Sequence, residues 1–148
     1  MAKISKASAK YFDYKAGLGN VGSYQASGRP FLSSSITVEG NLDVVSITFP
    51  TVTRFVTIKN TLTQDNDSIG LRVGISANGI NAVENNNYLV LYNEESYSAD
   101  WRVKAIHLKK DDTVSAPGVG VSASVIAGLT NIDSVELFHN WSGSAGIG

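Results

Sequence analysis

Cysteine is absent from this chain of 148 residues, which excludes disulfide bonds, thiolate metal sites and cysteine nucleophiles together. No apolar run approaches the roughly 18 residues of a membrane-spanning helix, and residues 1–10 lack the apolar stretch of a secretory signal. We therefore expect a protein that is stabilised by packing alone. Unless another route exports it, we expect it to be made in soluble form in a reducing cytosol.

Charge is also scarce, and it is unevenly distributed along the chain. Charged residues make up 17% of the sequence and hydrophobic residues 43%. This balance excludes a disordered acidic chain and a nucleic-acid-binding domain of the usual basic kind. Residues 1–30 carry five basic side chains and one acidic, a net charge of +4, whereas residues 31–148 carry seven basic and twelve acidic, a net charge of −5. A basic arm precedes an acidic body.

The body has the pattern of a β-sandwich. From Phe31 onward, short runs rich in valine, isoleucine, threonine and aromatics are separated by Gly, Asn, Asp or Pro, which is typical of strands joined by turns. No window predicts a helix of three turns. The predicted strands are 31–38, 42–49, 51–60, 69–75, 88–92, 100–108, 119–127 and 132–139.

The predicted fold class is all-β, an antiparallel sandwich of about eight strands with an extended N-terminal arm. Eight strands in two packed sheets is the strand count of a single jelly roll, which we favour, although another Greek-key sandwich would give the same pattern. We divide the chain into an arm (1–30), a jelly-roll body (31–140) and a glycine-rich tail (141–148).

One predicted strand needs an irregularity to bury its apolar residues. In the run 100–108, Trp101 and Val103 occupy odd positions, whereas Ile106 and Leu108 occupy even ones. Alternate residues of a strand face opposite sides. We therefore predict a β-bulge near Lys104–Ala105 that keeps both pairs facing inward.

Two motifs resemble ligand sites but lack the expected context. Residues 17–22 read Gly-Leu-Gly-Asn-Val-Gly, yet a dinucleotide site needs these glycines between a strand and a helix, so we interpret them as part of a flexible arm. Asp65-Asn66-Asp67 could offer oxygens to calcium, but Ser76 stands where a calcium hand needs glutamate. We interpret this run as a polar turn, with a weak calcium site shared with a neighbouring subunit as the alternative.

Catalytic signatures are missing as well. His107 and His139 are the only histidines, and neither has a second imidazole or a carboxylate at ligand spacing. No serine lies in a G-x-S-x-G elbow. We therefore predict no enzyme activity, no metal site and no cofactor. An enzyme would require a pocket in which one of these histidines meets a carboxylate.

The two ends of the chain are the candidate contact regions. The arm combines lysines with aromatics, so we expect it to lie on the acidic body of an adjacent copy; a solvated tail and a nucleic-acid contact are the alternatives, and its charge density is low for the latter. In the tail, Trp141 and Ile147 could anchor small residues in a crevice, with an unstructured end as the alternative. The predicted arm contacts are Lys3, Lys6, Lys10, Tyr11, Phe12, Tyr14 and Arg29.

Most of residues 31–148 also resembles a known group of proteins in strand pattern. The segments that carry the resemblance are FLSSSITVEGNLDVVSITFP, TVTRFVTIKN, NYLVLYNEESY, SASVIAGLTNI and NWSGSAGIG. They are similar to the small single jelly-roll capsid proteins of large icosahedral double-stranded DNA viruses. The resemblance implies a penton or minor capsid protein of the virion, assembled in the host cytoplasm. Its implied partners are further copies of itself, five around a vertex for a penton, and major and minor capsid proteins.

The rival hypothesis is a receptor- or carbohydrate-binding sandwich, such as a module of a viral fibre. Such a module would place several exposed aromatic side chains on one surface, where they could stack on sugar rings. The candidates for this surface are Tyr88, Tyr92, Tyr97, Trp101 and Trp141.

Overall fold

The computed structural model describes residues 28–38, 44–63, 69–81, 87–111 and 120–137. The predicted all-β class is confirmed, because the only helices in these ranges are α1 (Ala77–Asn81) and a short 3-10 helix (Ser134–Glu136). The strands are β1 (Arg29–Val38), β2 (Val45–Thr48), β3 (Thr51–Asn60), β4 (Leu71–Gly74), β5 (Leu89–Leu91), β6 (Ser96–Ala99), β7 (Ala105–Lys110) and β8 (Val121–Asp133).

The strands form two antiparallel sheets of four. Sheet A has the order β1-β8-β3-β6 and sheet B the order β2-β7-β4-β5. Each strand of the first half pairs with its counterpart counted back from the end: β1 with β8, β2 with β7, β3 with β6 and β4 with β5. A long hairpin rolled so that successive pairs fall in opposite sheets has this connectivity. The sandwich is confirmed, and its strand order is that of a single jelly roll.

The core lies between the sheets, and β8 shows how the sequence builds it. Val121, Ala123, Val125, Ala127 and Leu129 are all buried on its inner face. The residues between them are serines, Ile126 and Gly128, so the alternation that the sequence predicted is the alternation between core and outer face.

The list of predicted strands needs two corrections. The predicted strand 132–139 is wrong, because β8 continues to Asp133 and the 3-10 helix follows. The Asp133 side chain ends the strand by accepting a hydrogen bond from the Val135 N–H at 3.1 Å. Conversely, β6 was missed, because its sequence Ser-Tyr-Ser-Ala is short and mostly exposed. The predicted number of strands is right because one error offsets the other.

The predicted bulge at Lys104–Ala105 is also wrong, although the inward orientation that it explained is right. The chain bends at Lys104, and β7 begins only after the bend. Val103, Ile106 and Leu108 are buried. The inward-facing positions change from odd to even because residues 100–104 cross from sheet A to sheet B between two strands. No continuous ladder therefore has to absorb an extra residue.

The edge strand β1 does contain an irregularity. Its register with β8 shifts between Ser33 and Ile36, and Ser35 has a φ of 58°. That left-handed conformation is uncommon for residues other than glycine, so the bulge interrupts the outer row of β1 at a defined point.

A buried asparagine joins the two sheets at one end of the sandwich. Asn60 is fully buried at the end of β3. Its Nδ2 donates to the Leu91 carbonyl oxygen of β5 at 3.0 Å, and its Oδ1 accepts from the Leu62 N–H at 3.0 Å. One side chain therefore satisfies an acceptor in sheet B and a donor in the chain leaving sheet A.

Replacing Asn60 with leucine should lower the free energy of unfolding by about 2–4 kcal/mol, because the Leu91 carbonyl and the Leu62 N–H would remain buried without partners. Urea unfolding at neutral pH measures the change as a lower midpoint with an unchanged slope. Asn78→Leu, at an exposed position of α1, is the control and should change the midpoint little. Equal effects of the two substitutions would contradict this role for Asn60.

Candidate functional site

Most of the residues predicted to form contacts lie outside the described ranges. This holds for arm residues Lys3, Lys6, Lys10, Tyr11, Phe12 and Tyr14, for Trp141 and Ile147 of the tail, and for the motifs 17–22 and 65–67 and His139. Arg29 lies in β1, exposed and opposite Leu129 of β8, and the Gly28 N–H donates to the Leu129 carbonyl at 2.8 Å. The jelly-roll strand thus begins two residues before the predicted boundary of the arm.

The first candidate surface is the outer face of sheet A. Across the sheet, Leu32 of β1 pairs with Ile126 of β8, Ile126 with Thr57 of β3, and Thr57 with Ser98 of β6. Directly paired residues share a face, so these four side chains form one row. Leu32 is 69% exposed and Ile126 47%, which places two large apolar side chains together in solvent.

The rows on either side of this one carry little charge. One row consists of Ser124, Lys59 and Ser96, and the other of Pro30, Gly128 and half-buried Phe55. Lys59 is the one charged residue among the three rows. The outer face of sheet A therefore has an apolar pair in its central row, two serines and Lys59 on one side, and three uncharged, non-hydroxyl residues on the other.

The outer face of sheet B has the opposite character. Arg72 and Lys109 pair directly across β4 and β7, and both are buried. Asp111 offsets their like charge, since its Oδ1 lies 2.8 Å from Arg72 Nη2 and 2.9 Å from Nε. The Arg72 guanidinium also lies 4.5 Å from the centre of the Tyr88 ring, a cation–π contact. At β4 and β7 this face is charged and buried, whereas the described rows of sheet A's outer face are mostly exposed and carry a single charged residue, Lys59.

Helix α1 contributes to that burial. A Cβ atom added to Gly74 would come within 3.2 Å of Ile80 Cβ, so the helix lies directly against the end of β4. Glycine at this position gives the buried Ile80 the room to pack.

The second candidate site is a cavity of about 300 Å³ at the ends of β4 and β5. Sequence reasoning singled out two of its residues, Tyr88 and Trp101, and missed its other walls. We call it the Trp101 cavity. It is open to solvent, and its lining residues are Val73, Gly74, Ile75, Asn87, Tyr88, Leu89 and Trp101.

Trp101 is held in place from two sides. Its carbonyl oxygen accepts a hydrogen bond from Thr53 Oγ1 at 2.7 Å, and the same oxygen of Thr53 accepts from the Val103 N–H at 3.1 Å. The Tyr97 ring lies 5.6 Å from the Trp101 ring at an angle of 44°. Buried Thr53 therefore fixes the backbone at Trp101 and Val103, and the edge-strand residue Tyr97 packs against the indole ring.

The aromatic residues named for the rival hypothesis are distributed unevenly. Tyr88 and Trp101 line the Trp101 cavity, and Tyr97 contacts Trp101. Tyr92 is 45% exposed at the other end of β5, and Trp141 lies outside the described residues. Four of the candidates are thus partly or fully accessible, and only two of them line the same cavity.

His107 lies on the outer face of sheet B opposite Ser46. Its Nδ1 is 2.8 Å from Ser46 Oγ. At this distance the Nδ1 of a neutral imidazole can accept a hydrogen bond from the serine hydroxyl. Desolvation by burial lowers the pKa of His107 below its ordinary 6.5. Among the described residues, no three His, Cys, Asp or Glu side chains form a group able to hold a metal ion. The described ranges also contain no helix that is long and apolar enough to cross a membrane.

Because the folded state resists protonation of His107, the free energy of unfolding should fall as the pH is lowered through 6.5, the ordinary pKa, and level off below the lowered pKa of the folded protein. Thermal unfolding followed by circular dichroism between neutral pH and mild acid measures this. His107→Gln should remove this part of the pH dependence, whereas His139→Gln should retain it. A His107→Gln protein with an unchanged pH profile would contradict the assignment.

Comparison with known proteins identifies no relative. No family model, no curated protein and no solved structure matches this chain, so the resemblance to jelly-roll capsid proteins stays a prediction drawn from the sequence.

Proposed function

We propose that this chain is a structural subunit of a virion capsid, a penton or minor capsid protein that assembles with copies of itself and with neighbouring capsid subunits. The observation that carries the proposal is the pair of exposed side chains, Leu32 and Ile126, on the sparsely charged outer face of sheet A. The jelly-roll strand order is compatible with it, but a fold alone does not determine a function.

The chemistry of this face favours protein–protein contact. Removing a large aliphatic side chain from water contributes about 1.5–3 kcal/mol when its burial is complete. Adjacent apolar side chains bordered by polar groups are the usual arrangement at the centre of an interface. In these rows only Lys59 would have to keep its charged group in solvent, and a long lysine side chain can do so.

The size of the face explains why an arm would be useful. Four strands about 4.8 Å apart, each contributing about six residues of 3.3 Å, present roughly 400 Å², about half of what each partner buries in an interface of standard size. Residues 1–27 precede Gly28, the residue before the edge strand β1. The Gly28 N–H is hydrogen-bonded to the Leu129 carbonyl of β8. An interface formed by this face alone would be small and therefore weak. Contacts from the predicted arm would enlarge its area.

The double substitution Leu32→Ser and Ile126→Thr should weaken self-association by roughly 30-fold or more, since it removes apolar burial and leaves folding intact at two exposed positions. Sedimentation velocity over a range of protein concentrations measures the dissociation constant. The matched control is Val135→Thr, because Val135 is 72% exposed but lies on the 3-10 helix. A wild-type chain that remains monomeric at every concentration, or a double variant that associates like the wild type, would count against the proposal.

Deleting the arm should leave a folded body that assembles poorly. The predicted arm ends at residue 30, but Arg29 and Pro30 belong to β1. The deletion should therefore remove residues 2–27 only. Circular dichroism should show an unchanged β spectrum, and sedimentation should show smaller species than the full-length chain forms. Normal assembly of the truncated protein would refute the role of the arm and leave that of the sheet A face standing.

A further inference from the structure

We propose that Asn78 in α1 is a site of spontaneous deamidation, and that a hydrogen bond from Gly79 to Ser76 sets how fast it reacts. Asn78 and Gly79 form the one Asn-Gly pair in the sequence. Glycine has no Cβ to hinder attack by its own nitrogen, so this pair has the most reactive context of any asparagine in the chain. The reaction goes beyond the proposed function and does not depend on it.

Deamidation at this pair needs only water as a co-reactant. The Gly79 nitrogen loses its proton and bonds to Asn78 Cγ, the Cγ–Nδ2 bond breaks, and Nδ2 takes up that proton and leaves as ammonia. Water then opens the resulting succinimide ring at one of its two carbonyls. The product is either an aspartate with a normal backbone or an isoaspartate, in which the backbone runs through the former side chain.

The fold presents Asn78 to solvent but restrains the nitrogen that must attack it. Asn78 is exposed on α1, whereas Gly79 is buried. The Gly79 N–H donates to Ser76 Oγ at 3.0 Å, so the proton that must leave is engaged by an acceptor. The Gly79 carbonyl in turn accepts from the Asn87 N–H at 3.4 Å. Both backbone polar groups of the attacking residue are therefore hydrogen-bonded in the folded protein.

Opening of α1 should therefore limit the reaction. Ile80 is fully buried and lies against Gly74, and its N–H donates to the Ser76 carbonyl at 3.2 Å. These contacts oppose the movement that would bring the Gly79 nitrogen onto the Asn78 side chain. However, α1 has only five residues, and a short segment can open locally at a lower free-energy cost than global unfolding. When reclosing is faster than the chemistry, the rate follows the population of the open form.

The folded full-length protein, at mildly alkaline pH, should deamidate at Asn78 at least about tenfold more slowly than the chain unfolded in guanidinium chloride. Mass spectrometry measures both rates on the tryptic peptide 73–102, which lies between Arg72 and Arg102. Asn81, which precedes Ala82, is the internal reference and should react more slowly than Asn78 in the unfolded chain. Equal rates at Asn78 in the two states, or a faster reaction at Asn81, would overturn the proposal.

Variants of Ser76 then test the hydrogen bond. Ser76→Ala removes the acceptor and should raise the rate in the folded protein about fivefold, the effect of losing one such side-chain contact at the start of a helix. Ser76→Thr keeps a hydroxyl group and should stay near the wild-type rate. In guanidinium chloride all three proteins should react alike, because the hydrogen bond is then absent. A folded Ser76→Ala protein that reacts at the wild-type rate would overturn the role of Ser76.

The isoaspartate product should also loosen α1. Its backbone is longer by one methylene before Gly79, so the turn that places Ile80 against Gly74 cannot keep its geometry. The isoaspartate form, isolated from aged protein by ion-exchange chromatography, should therefore have a lower Tm than Asn78→Asp. That variant is the matched control, because it has the same charge and a normal backbone. Equal Tm values would overturn this consequence and leave the rate measurements to decide the assignment of the site.

Discussion

The ladder that β8 forms with both of its neighbours is the constraint on which the sandwich depends. β8 pairs with β1 on one side and β3 on the other, and its inner residues supply small and medium-sized side chains to the core. At its far end, Thr130 Oγ1 donates to the Val52 carbonyl at 2.6 Å and accepts from the Ile132 N–H. The same strand carries Ile126 on its outer side. The core, the pairing of the edge strand β1 and the candidate interface therefore all depend on β8.

The outer faces of the two sheets differ in their chemistry. Sheet B buries arginine, lysine and aspartate beside helix α1, a costly arrangement unless the charges are paired and hydrogen-bonded. Sheet A leaves aliphatic and hydroxyl side chains in solvent. Apolar contact needs no charged partner, so the interface proposed for sheet A would depend more on shape than on charge.

The sequence predicted the fold well in those strands where buried and exposed residues alternate along the chain. β3 has the predicted limits, since it begins directly after Pro50 and ends three residues before the polar run 63–68. β6 was missed because its sequence has no apolar alternation. The burial of Arg72 was also not predictable, because an arginine between Leu71 and Val73 gives no sign that its own face is covered. The Trp101 cavity combines residues 73–75, 87–89 and Trp101, which only tertiary structure brings together. The exposure of Leu32 and Ile126 likewise depends on the absence of a further layer over sheet A among the described residues.

The bulge in β1 bears on how copies of this chain can meet. β1 is the long edge of sheet A, and an uninterrupted edge of ten residues would be a template for adding strands from other molecules. Pro30 withholds one N–H, and the left-handed Ser35 breaks the row farther along. Edge-to-edge growth into continuous sheets, the route to fibrous aggregates, is thereby obstructed at two points. The exposed flat side of the sheet stays open, and the contact proposed there would join side chains without extending a hydrogen-bonded strand ladder.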